Sequence, residues 1–314
     1  MVTEAQAATR GTASDEALIE IVIVAATGAR ELLRDCLNSV ARHPLTTGST
    51  VTWVVDNATA DGTPDMLAAE FPWVRVLRLD RVTSFAAANN AVLRNLRAPV
   101  ALLLNPDTEL SAGALDRALA ALLAEPGRAV VGVRLVRRDG SFDHAAKRSF
   151  PTLLGALGHF TGLGRRAGTS GPLAQYRAPA VAELGAGRVD AVNGAFMLVR
   201  TSAIRAVGLL DEGYRLYGED LDWCYRFQAA GWTVWYDGAA TVVHVKGAAT
   251  VREQGRRRHR DLRVNFAFHH AMGRFYRKYR AGRRPLLDLL VYACLALKFV
   301  VSALNSALAR RGDE

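Results

Sequence analysis

Residues 50–70 read TVTWVVDNATADGTPDMLAAE and contain a strand, a polar turn and a helix in one stretch. The β-branched run 50–55 predicts a buried strand, and residues 63–70, after Asp-Gly, predict the helix that follows it. Similar runs alternate on both sides: strands at 18–24, 74–77 and 100–104, and helices at 29–41 and 86–96. Strands that alternate with helices of this length form a parallel sheet with helices on both faces.

The second half of the chain completes a mixed but mainly parallel sheet. Regular structure is predicted for helices 112–123, 201–207 and 219–230, for strands 129–136, 233–236 and 240–244, and for the stretch 189–200. Residues 149–187 are rich in Gly, Pro and Ala, which predicts a loop-rich insertion facing the substrate. We therefore expect an α/β protein with a flexible leader at 1–17, a main domain at 18–250 and a helical tail at 251–314.

The composition excludes disordered and fibrous proteins, because half of the 314 residues are apolar and 22% are charged. Cys36, Cys224 and Cys294 match no disulfide or metal-binding spacing, so we expect reduced thiols. No apolar stretch lies near Met1, so we expect no cleaved signal peptide. The net charge of +10 arises from residues 252–284, which contain twelve Lys or Arg and only two acidic residues.

Residues 286–309 are almost wholly apolar and are long enough to span a bilayer. The polar residues of this stretch fall within an arc of about 100° of a helix: Asp288, Lys298, Ser302, Asn305 and Ser306. This pattern favours a helix that lies in the plane of an anionic membrane with the polar stripe toward water. A membrane span and a helix that docks on protein remain alternatives. A basic belt directly before an apolar helix favours a membrane over nucleic acid as the partner.

Polar residues follow the strands at the edge where ligands of parallel sheets bind. Asp56 directly follows a buried strand, where a carboxylate can accept the imide N–H of uracil or thymine. Asp61 and Gly62 are interpreted as a turn and a helix cap. Asp107 follows the next central strand at the same edge, where it can hold a divalent cation, Mg²⁺ or Mn²⁺, against a nucleotide diphosphate.

Two further clusters follow in the second half of the chain. Glu219 and Asp220 open a helix, where acidic residues also stabilise the helix dipole, and a carboxylate there can take the proton of an attacking sugar hydroxyl. Asp222 and Arg226 have the spacing of a pair across one helical turn. His244 follows a strand that returns to the same edge, so it is interpreted either as a metal or phosphate ligand or as a structural residue.

These motifs together resemble the inverting family-2 glycosyltransferases with the GT-A fold, and in particular their bacterial rhamnosyltransferase-like branch. The motifs are VVDNATADGT (54–63), FAAANN (85–90), LLNPDTEL (103–110), VNGAFMLVR (192–200), GEDLDWCYR (218–226) and HVKG (244–247). The resemblance covers residues 18–250, which would then be the catalytic domain. It implies that Asp56 contacts the base, that Asp107 stands at the metal-binding aspartate and that Asp220 is the catalytic base.

The sequence therefore predicts four sets of site residues. The nucleotide-binding set is Thr27, Asp56, Asn57, Asn89 and Asn90; the metal set is Asp107 and His244; the catalytic set is Asp220 and Glu219; the acceptor-contacting or orienting set is Asp222, Trp223 and Arg226.

The resemblance suggests dTDP-rhamnose as donor and a polysaccharide or polyprenyl-linked glycan as acceptor. We expect a peripheral enzyme on the cytoplasmic side of the inner membrane, with no nucleic-acid partner. Ala25 and Ala26 stand at the end of the first strand, where such enzymes carry polar residues. This departure leaves one alternative, a catalytically weakened nucleotide-sugar-binding partner of another transferase.

Overall fold

The computed structural model describes residues 17–151, 178, 180–245, 262–282 and 284–311. The predicted leader lies outside the described residues except for Ala17. Most of the predicted insertion at 149–187 also lies outside them. The same holds for all of the basic run at 252–261 and for Lys246 and Gly247 of the HVKG motif.

The described elements alternate as predicted in the first half of the chain. The strands are β1 Ile19–Ala25, β2 Thr50–Asp56, β3 Arg75–Arg78, β4 Val100–Leu104, β5 Thr108–Leu110, β6 Arg128–Val136, β7 Lys147–Arg148, β8 Ala186–Arg188, β9 Ala191–Val192, β10 Phe196–Arg200 and β11 Thr233–His244. The helices are α1 Arg30–Arg42, α2 Thr63–Glu70, α3 Phe85–Leu93, α4 Ala114–Leu123, α5 Thr201–Val207, α6 Glu219–Ala229, α7 Leu262–Tyr279 and α8 Pro285–Arg311.

The main sheet has the strand order β3-β2-β1-β4-β10-β6-β11-β5, with β8 paired to β11. Strands β1 to β4 are mutually parallel, and β6 and β11 are parallel, whereas β10 runs antiparallel between β4 and β6. Strands β7 and β9 form a separate two-stranded sheet. The predicted α/β class with a mixed, mainly parallel sheet is confirmed.

One strand prediction was wrong. Residues 233–236 and 240–244 were predicted as two strands, but β11 is continuous and absorbs the interruption as a shift in register between Asp237 and Thr241. Gly238 lies within this irregularity, and a Cβ atom there would stand 2.2 Å from the carbonyl oxygen of Glu183. Only glycine permits this close approach of two backbone segments.

The sheet carries the two predicted strand-end carboxylates to one edge. Strands β1 and β4 are buried along their whole lengths, as expected for central strands covered on both faces. Asp56 ends β2 and Asp107 follows β4, and β1 lies between these two parallel strands. Both side chains therefore stand at the carboxyl edge of the sheet, where ligands bind in open α/β folds.

Helix α7 packs on the main domain although it was predicted to belong to the tail. Its Phe275 is buried in the main hydrophobic core, and Ala271 is buried as well. The ring of Phe275 contacts the rings of Phe150 and Tyr225. The boundary at residue 250 stays a prediction, but the first described helix beyond it is packed into the domain.

Helix α8 packs on α7 and turns an apolar face away from it. Tyr276 and Phe266 of α7 meet Tyr292 and Phe299 of α8 edge to face. Residues Pro285–Leu304 are long and apolar enough to cross a bilayer by length and composition, and none of this described stretch is buried inside the protein. The exposed large apolar side chains of the helix are Leu286, Leu289, Leu290, Tyr292, Leu297, Val300, Val301 and Leu304.

The polar stripe of α8 does not simply face water as predicted for an in-plane helix. Asp288, its first member, accepts hydrogen bonds from Tyr276 Oη at 2.6 Å and from the Gly282 N–H at 2.8 Å. The stripe therefore begins against α7 and the turn that joins the two helices, where Asp288 is the acceptor for a tyrosine hydroxyl and a turn N–H. The face opposite α7 is the apolar one.

Candidate active site

Asp56 presents an unused carboxylate oxygen at the end of β2. Its side chain is fully buried, and its Oδ1 accepts hydrogen bonds from the Thr59 N–H at 2.9 Å and the Thr59 hydroxyl at 2.7 Å. Its Oδ2 has no hydrogen-bond partner among the residues described, although the Nε of the exposed Arg78 lies 3.5 Å away. A buried acceptor without a hydrogen bond is costly, so this oxygen is suited to receive a ligand N–H.

The other predicted nucleotide-binding residues have differing surroundings. Asn57 exchanges hydrogen bonds with the backbone of Thr83, so it ties the loop after β2 to the loop before α3. Asn90 is bound to both backbone groups of Leu210. Asn89 donates to the carbonyl of Phe85, and its Oδ1 is buried without a partner in the part of the chain that the structure covers.

Thr27 lies exposed in the turn after β1. The next residue, Gly28, has a φ of 88° and donates its N–H to Asp61 Oδ2 at 2.5 Å. Burial opposes ionisation of Asp61, but hydrogen bonds from Thr63 and Gly28 outweigh it and lower its pKa. Asp61 therefore joins the turns after β1 and β2, in addition to its predicted role in a turn.

Asp107 and His244 meet at the same edge. Asp107 Oδ1 lies 3.6 Å from His244 Nε2, and both side chains are buried. The other ring nitrogen, Nδ1, lies 3.2 Å from Asp143 Oδ2. Burial alone would lower the pKa of His244, but the two carboxylates outweigh burial and raise it to about 9. The imidazole is therefore held between two acidic groups.

The spacing of Asp107 and His244 fits a shared metal ion. Bonds from divalent ions to protein oxygen and nitrogen atoms are about 2.0–2.2 Å long, so two ligands of one ion lie about 3–4 Å apart. Asp143 contacts the opposite side of the imidazole, so it does not point to the same position. Within the described ranges, no group of three or more His, Cys, Asp or Glu side chains surrounds a possible ion. The residues suit an ion held by two protein ligands and substrate phosphates.

Glu219 and Asp220 open α6, and the segment before them has an unusual backbone. Tyr217 has a φ of 66° and Gly218 a φ of 89°, so two consecutive residues adopt left-handed conformations. Such backbone is unfavourable for a tyrosine, and it is typical of functional sites. Tyr217 packs edge to face on Phe268 of α7, and a Cβ atom on Gly218 would lie 3.2 Å from the Ala271 Cβ. Helix α7 therefore contacts the residues directly before the two carboxylates.

The two adjacent carboxyl groups have opposite surroundings. Asp220 Oδ2 accepts from Arg148 Nη2 at 2.6 Å and from the Gly194 N–H at 3.0 Å, and Oδ1 accepts from the Leu221 N–H. Glu219 Oε2 is buried and has no hydrogen-bond partner among the residues that the structure describes. Burial, and secondly the charge of Asp220, raise the pKa of Glu219 to about 8. Asp220 is therefore ion-paired with Arg148, whereas burial favours the protonated form of Glu219.

Asp222, Trp223 and Arg226 lie in the packing around α6. The predicted pair is confirmed, because Arg226 Nε donates to Asp222 Oδ2 at 2.8 Å. Asp222 Oδ1 also accepts from Lys278 Nζ and Tyr279 Oη of α7, both at 2.7 Å. Trp223 is fully buried and donates to the carbonyl of Gly208. The structure thus shows these three residues holding α6 against its neighbours.

Sequence reasoning missed Arg148 and Asp143. It also missed the backbone contacts of residues 194–195, which connect the loop of Asp107 to Asp220. The Gly194 N–H binds Asp220, and the neighbouring Ala195 carbonyl accepts from the Asn105 N–H at 3.0 Å in the Asp107 loop. The VNGAFMLVR motif was a signal for this junction, whereas Arg148 and Asp143 stand in no motif. Residues 194–195 therefore link the predicted metal-binding loop to the predicted base.

The described site combines carboxylates at strand ends with two carboxylates at the start of a helix. A comparison with protein-family models identifies the family to which a chain with these features belongs. The model of glycosyltransferase-like family 2 matches residues 20–263. The chain belongs to this family. It is therefore a glycosyltransferase, and the resemblance inferred from the motifs is confirmed.

This glycosyltransferase is similar to the N-acetylglucosaminyl-diphospho-decaprenol L-rhamnosyltransferase of Mycobacterium tuberculosis. The two are 28% identical over 216 residues, which are 64% of this chain and 68% of the relative. It is also 30% identical over 167 residues to the uncharacterized protein y4gI of Sinorhizobium fredii, covering 52% of this chain and 17% of that protein.

Solved structures show the GT-A fold. The mannosyltransferase PcManGT of Pyrobaculum calidifontis, solved with GDP-Man and Mn²⁺, has a TM-score of 0.56 at 16% identity, over 94% of this chain and 74% of that chain. GalNAc-T7, solved with UDP, GalNAc and Mn²⁺, has a TM-score of 0.54 at 13% identity, over 73% of this chain and 44% of that chain. At these identities the likeness concerns the fold alone.

Proposed function

We propose that this glycosyltransferase moves a sugar from a nucleoside diphosphate onto a lipid-linked glycan at a membrane surface, with inversion and with a divalent metal. The observation that carries the proposal is the link through residues 194–195. One of these backbone positions binds Asp220 and the other binds the loop of Asp107. This link supports a base for the acceptor close to a ligand for the donor diphosphate, which is the arrangement that sugar transfer requires.

Asp56 supports a pyrimidine nucleotide as the donor. Its Oδ2 accepts no hydrogen bond among the described residues and can accept the imide N–H of thymine or uracil. Among pyrimidine donors, dTDP-L-rhamnose is the first candidate, because the mycobacterial relative is named as an L-rhamnosyltransferase. Thr27 and Asn89 lie on the elements beside this position and complete the proposed nucleotide site, with Asn57 and Asn90 holding its loops.

Asp107 and His244 support a divalent ion, Mg²⁺ or Mn²⁺, and the two solved neighbours contain Mn²⁺. When bound, such an ion neutralises charge on the departing diphosphate. The chain supplies one carboxylate and one imidazole at the end of the sheet, with Asp107 Oδ1 and His244 Nε2 3.6 Å apart. Their burial keeps both groups in place before the donor arrives.

Asp220 supports direct displacement at the anomeric carbon. The acceptor hydroxyl forms the new C–O bond, its proton passes to the Asp220 carboxylate, and the C–O bond to the nucleoside diphosphate breaks. Attack from the face opposite the leaving group inverts the anomeric centre. Burial raises the pKa of Glu219 and favours its protonated form, so Glu219 is the poorer acceptor of this proton. Arg148 holds the Asp220 carboxylate in position.

Helix α8 supports a lipid-linked acceptor. Its apolar face is exposed, and α7, on which it packs, contacts Tyr217 and Gly218 directly before the catalytic carboxylates. A membrane at α8 would thus lie one helix away from the acceptor side of the site. The relative's name describes a decaprenol-linked acceptor. We place the enzyme on the cytoplasmic side of the membrane, attached peripherally through α8 and the basic residues before it.

The experiment is a donor panel scored by product mass. Full-length protein in anionic liposomes is given polyprenyl-diphosphate-linked GlcNAc and, in turn, dTDP-, UDP- and GDP-sugars, with Mg²⁺ or Mn²⁺ and with EDTA. We expect one deoxyhexose to be added from dTDP-rhamnose and no product with EDTA. A product from a GDP-sugar would overturn the proposal of a pyrimidine donor. Nucleotide binding without any transfer would instead favour the weakened partner of another transferase.

A further inference from the structure

We propose that Asp143 is a positioning residue for His244: it sets the orientation and the protonated nitrogen of the imidazole, and thereby the affinity of the site for its divalent ion. This inference rests on the proposed metal site. It concerns a residue that belongs to no motif of the chain and lies 101 residues from His244.

The contact between the two residues is buried. Asp143 is 1% exposed and His244 is 6% exposed, and Asp143 Oδ2 lies 3.2 Å from His244 Nδ1. Water therefore does not compete for this ring nitrogen. The Asp143 side chain is itself held, since its Oδ1 accepts the Ala145 N–H at 3.1 Å and its own N–H is bound to the Leu135 carbonyl at 2.9 Å.

The position of the carboxylate determines which nitrogen can bind metal. A carboxylate accepts hydrogen bonds only, so Asp143 requires the proton of a neutral imidazole to stand on Nδ1. The lone pair then stands on Nε2, and Nε2 is the nitrogen that faces Asp107 Oδ1. Metal-binding histidines in proteins commonly donate their second N–H to a carboxylate in this way, and loss of that partner costs about 10–100-fold in metal affinity.

Asp143→Asn keeps the size of the side chain and therefore its packing. It changes only the hydrogen bonding that orients the His244 ring. The new amide can donate its NH₂ to Nδ1, which moves the ring proton to Nε2 and blocks the lone pair that a metal needs. Asp237→Asn is the matched control. Asp237 is likewise buried and lies on β11, the strand that ends in His244, but it pairs with Arg117 and the Ala239 N–H.

The readout is the dissociation constant of Mn²⁺ in the presence of dTDP, measured by electron paramagnetic resonance on full-length protein. We expect Asp143→Asn to weaken Mn²⁺ binding about 10–100-fold, and Asp237→Asn to leave it unchanged. The double variant Asp143→Asn/His244→Ala should bind no more weakly than His244→Ala alone, because Asp143 acts through the imidazole.

Four outcomes would overturn the inference. Unchanged affinity in Asp143→Asn, or an equal loss in Asp237→Asn, would show that the contact has no specific effect. Additive losses in the double variant would show that Asp143 acts independently of the imidazole. If His244→Ala itself leaves Mn²⁺ affinity unchanged, the proposed metal site fails and the inference fails with it. Circular dichroism of each variant confirms that the fold is retained.

Discussion

Asp222→Asn tests whether the Asp222 side chain stabilises the packing of α6 on α7 or contacts the acceptor. The side chain is fully buried and accepts from Arg226 at 2.8 Å and from Lys278 and Tyr279 at 2.7 Å. Removing one member of a buried ion pair costs about 3–5 kcal/mol. Arg226 keeps two backbone carbonyls and Lys278 keeps Asp211, so we expect the lower value, about 3 kcal/mol.

The assay is thermal and urea unfolding of full-length protein, followed by circular dichroism. A loss of this size should lower the melting midpoint by at least about 5 °C. The control is Glu70→Gln, which breaks a pair with Arg34 of similar geometry, with distances of 2.7 and 2.9 Å. That pair is exposed to solvent, so its loss should lower the melting midpoint far less than Asp222→Asn does.

Kinetics then separate the two roles of Asp222. If Asp222 stabilises the packing of the two helices, the variant should be less stable than the wild type. Assayed below its melting temperature, it should have an unchanged KM for the acceptor. Unchanged stability together with a raised acceptor KM would refute the packing argument and assign Asp222 to the acceptor site.

The other predictions concern the site and the tail. Asp107→Ala should abolish metal-dependent transfer with the fold intact, and full activity of this variant in chelator would exclude the metal role. Asp220→Asn should lower kcat by about 10²–10⁴ with little change in donor affinity; a larger loss in Glu219→Gln would make Glu219 the base. Because the folded pKa of Glu219 is about 8 against an ordinary 4.5, wild-type stability should fall between those pH values, and melting curves of Glu219→Gln should lack that fall. Removal of residues after Arg284 should leave only salt-sensitive flotation with anionic liposomes, whereas equal flotation of both proteins would mean that α8 docks on protein.

The strand and helix order of the first half of the chain followed from local pattern. A β-branched run followed by a polar turn predicts a buried strand and its crossover helix, and β2 and α2 lie where residues 50–55 and 63–70 predicted them. Parallel strands share one carboxyl edge, so the placement of Asp56 and Asp107 at that edge was also predictable. The paired spacing of Asp222 and Arg226 was confirmed for the same reason, since helical neighbours are set by the helix period.

Contacts between distant segments were decided only by tertiary structure. Arg148 reaches Asp220 across 72 residues, and Asp143 reaches His244 across 101. Asp288 was predicted to face water, but its partners on α7 and in the turn became visible only when the helices were packed together. Periodicity reports which face of an element is apolar, whereas the partner of a polar side chain depends on how remote elements pack. The sequence by itself therefore determined the sheet and the edge that carries the candidate site, and packing decided the partners of each carboxylate.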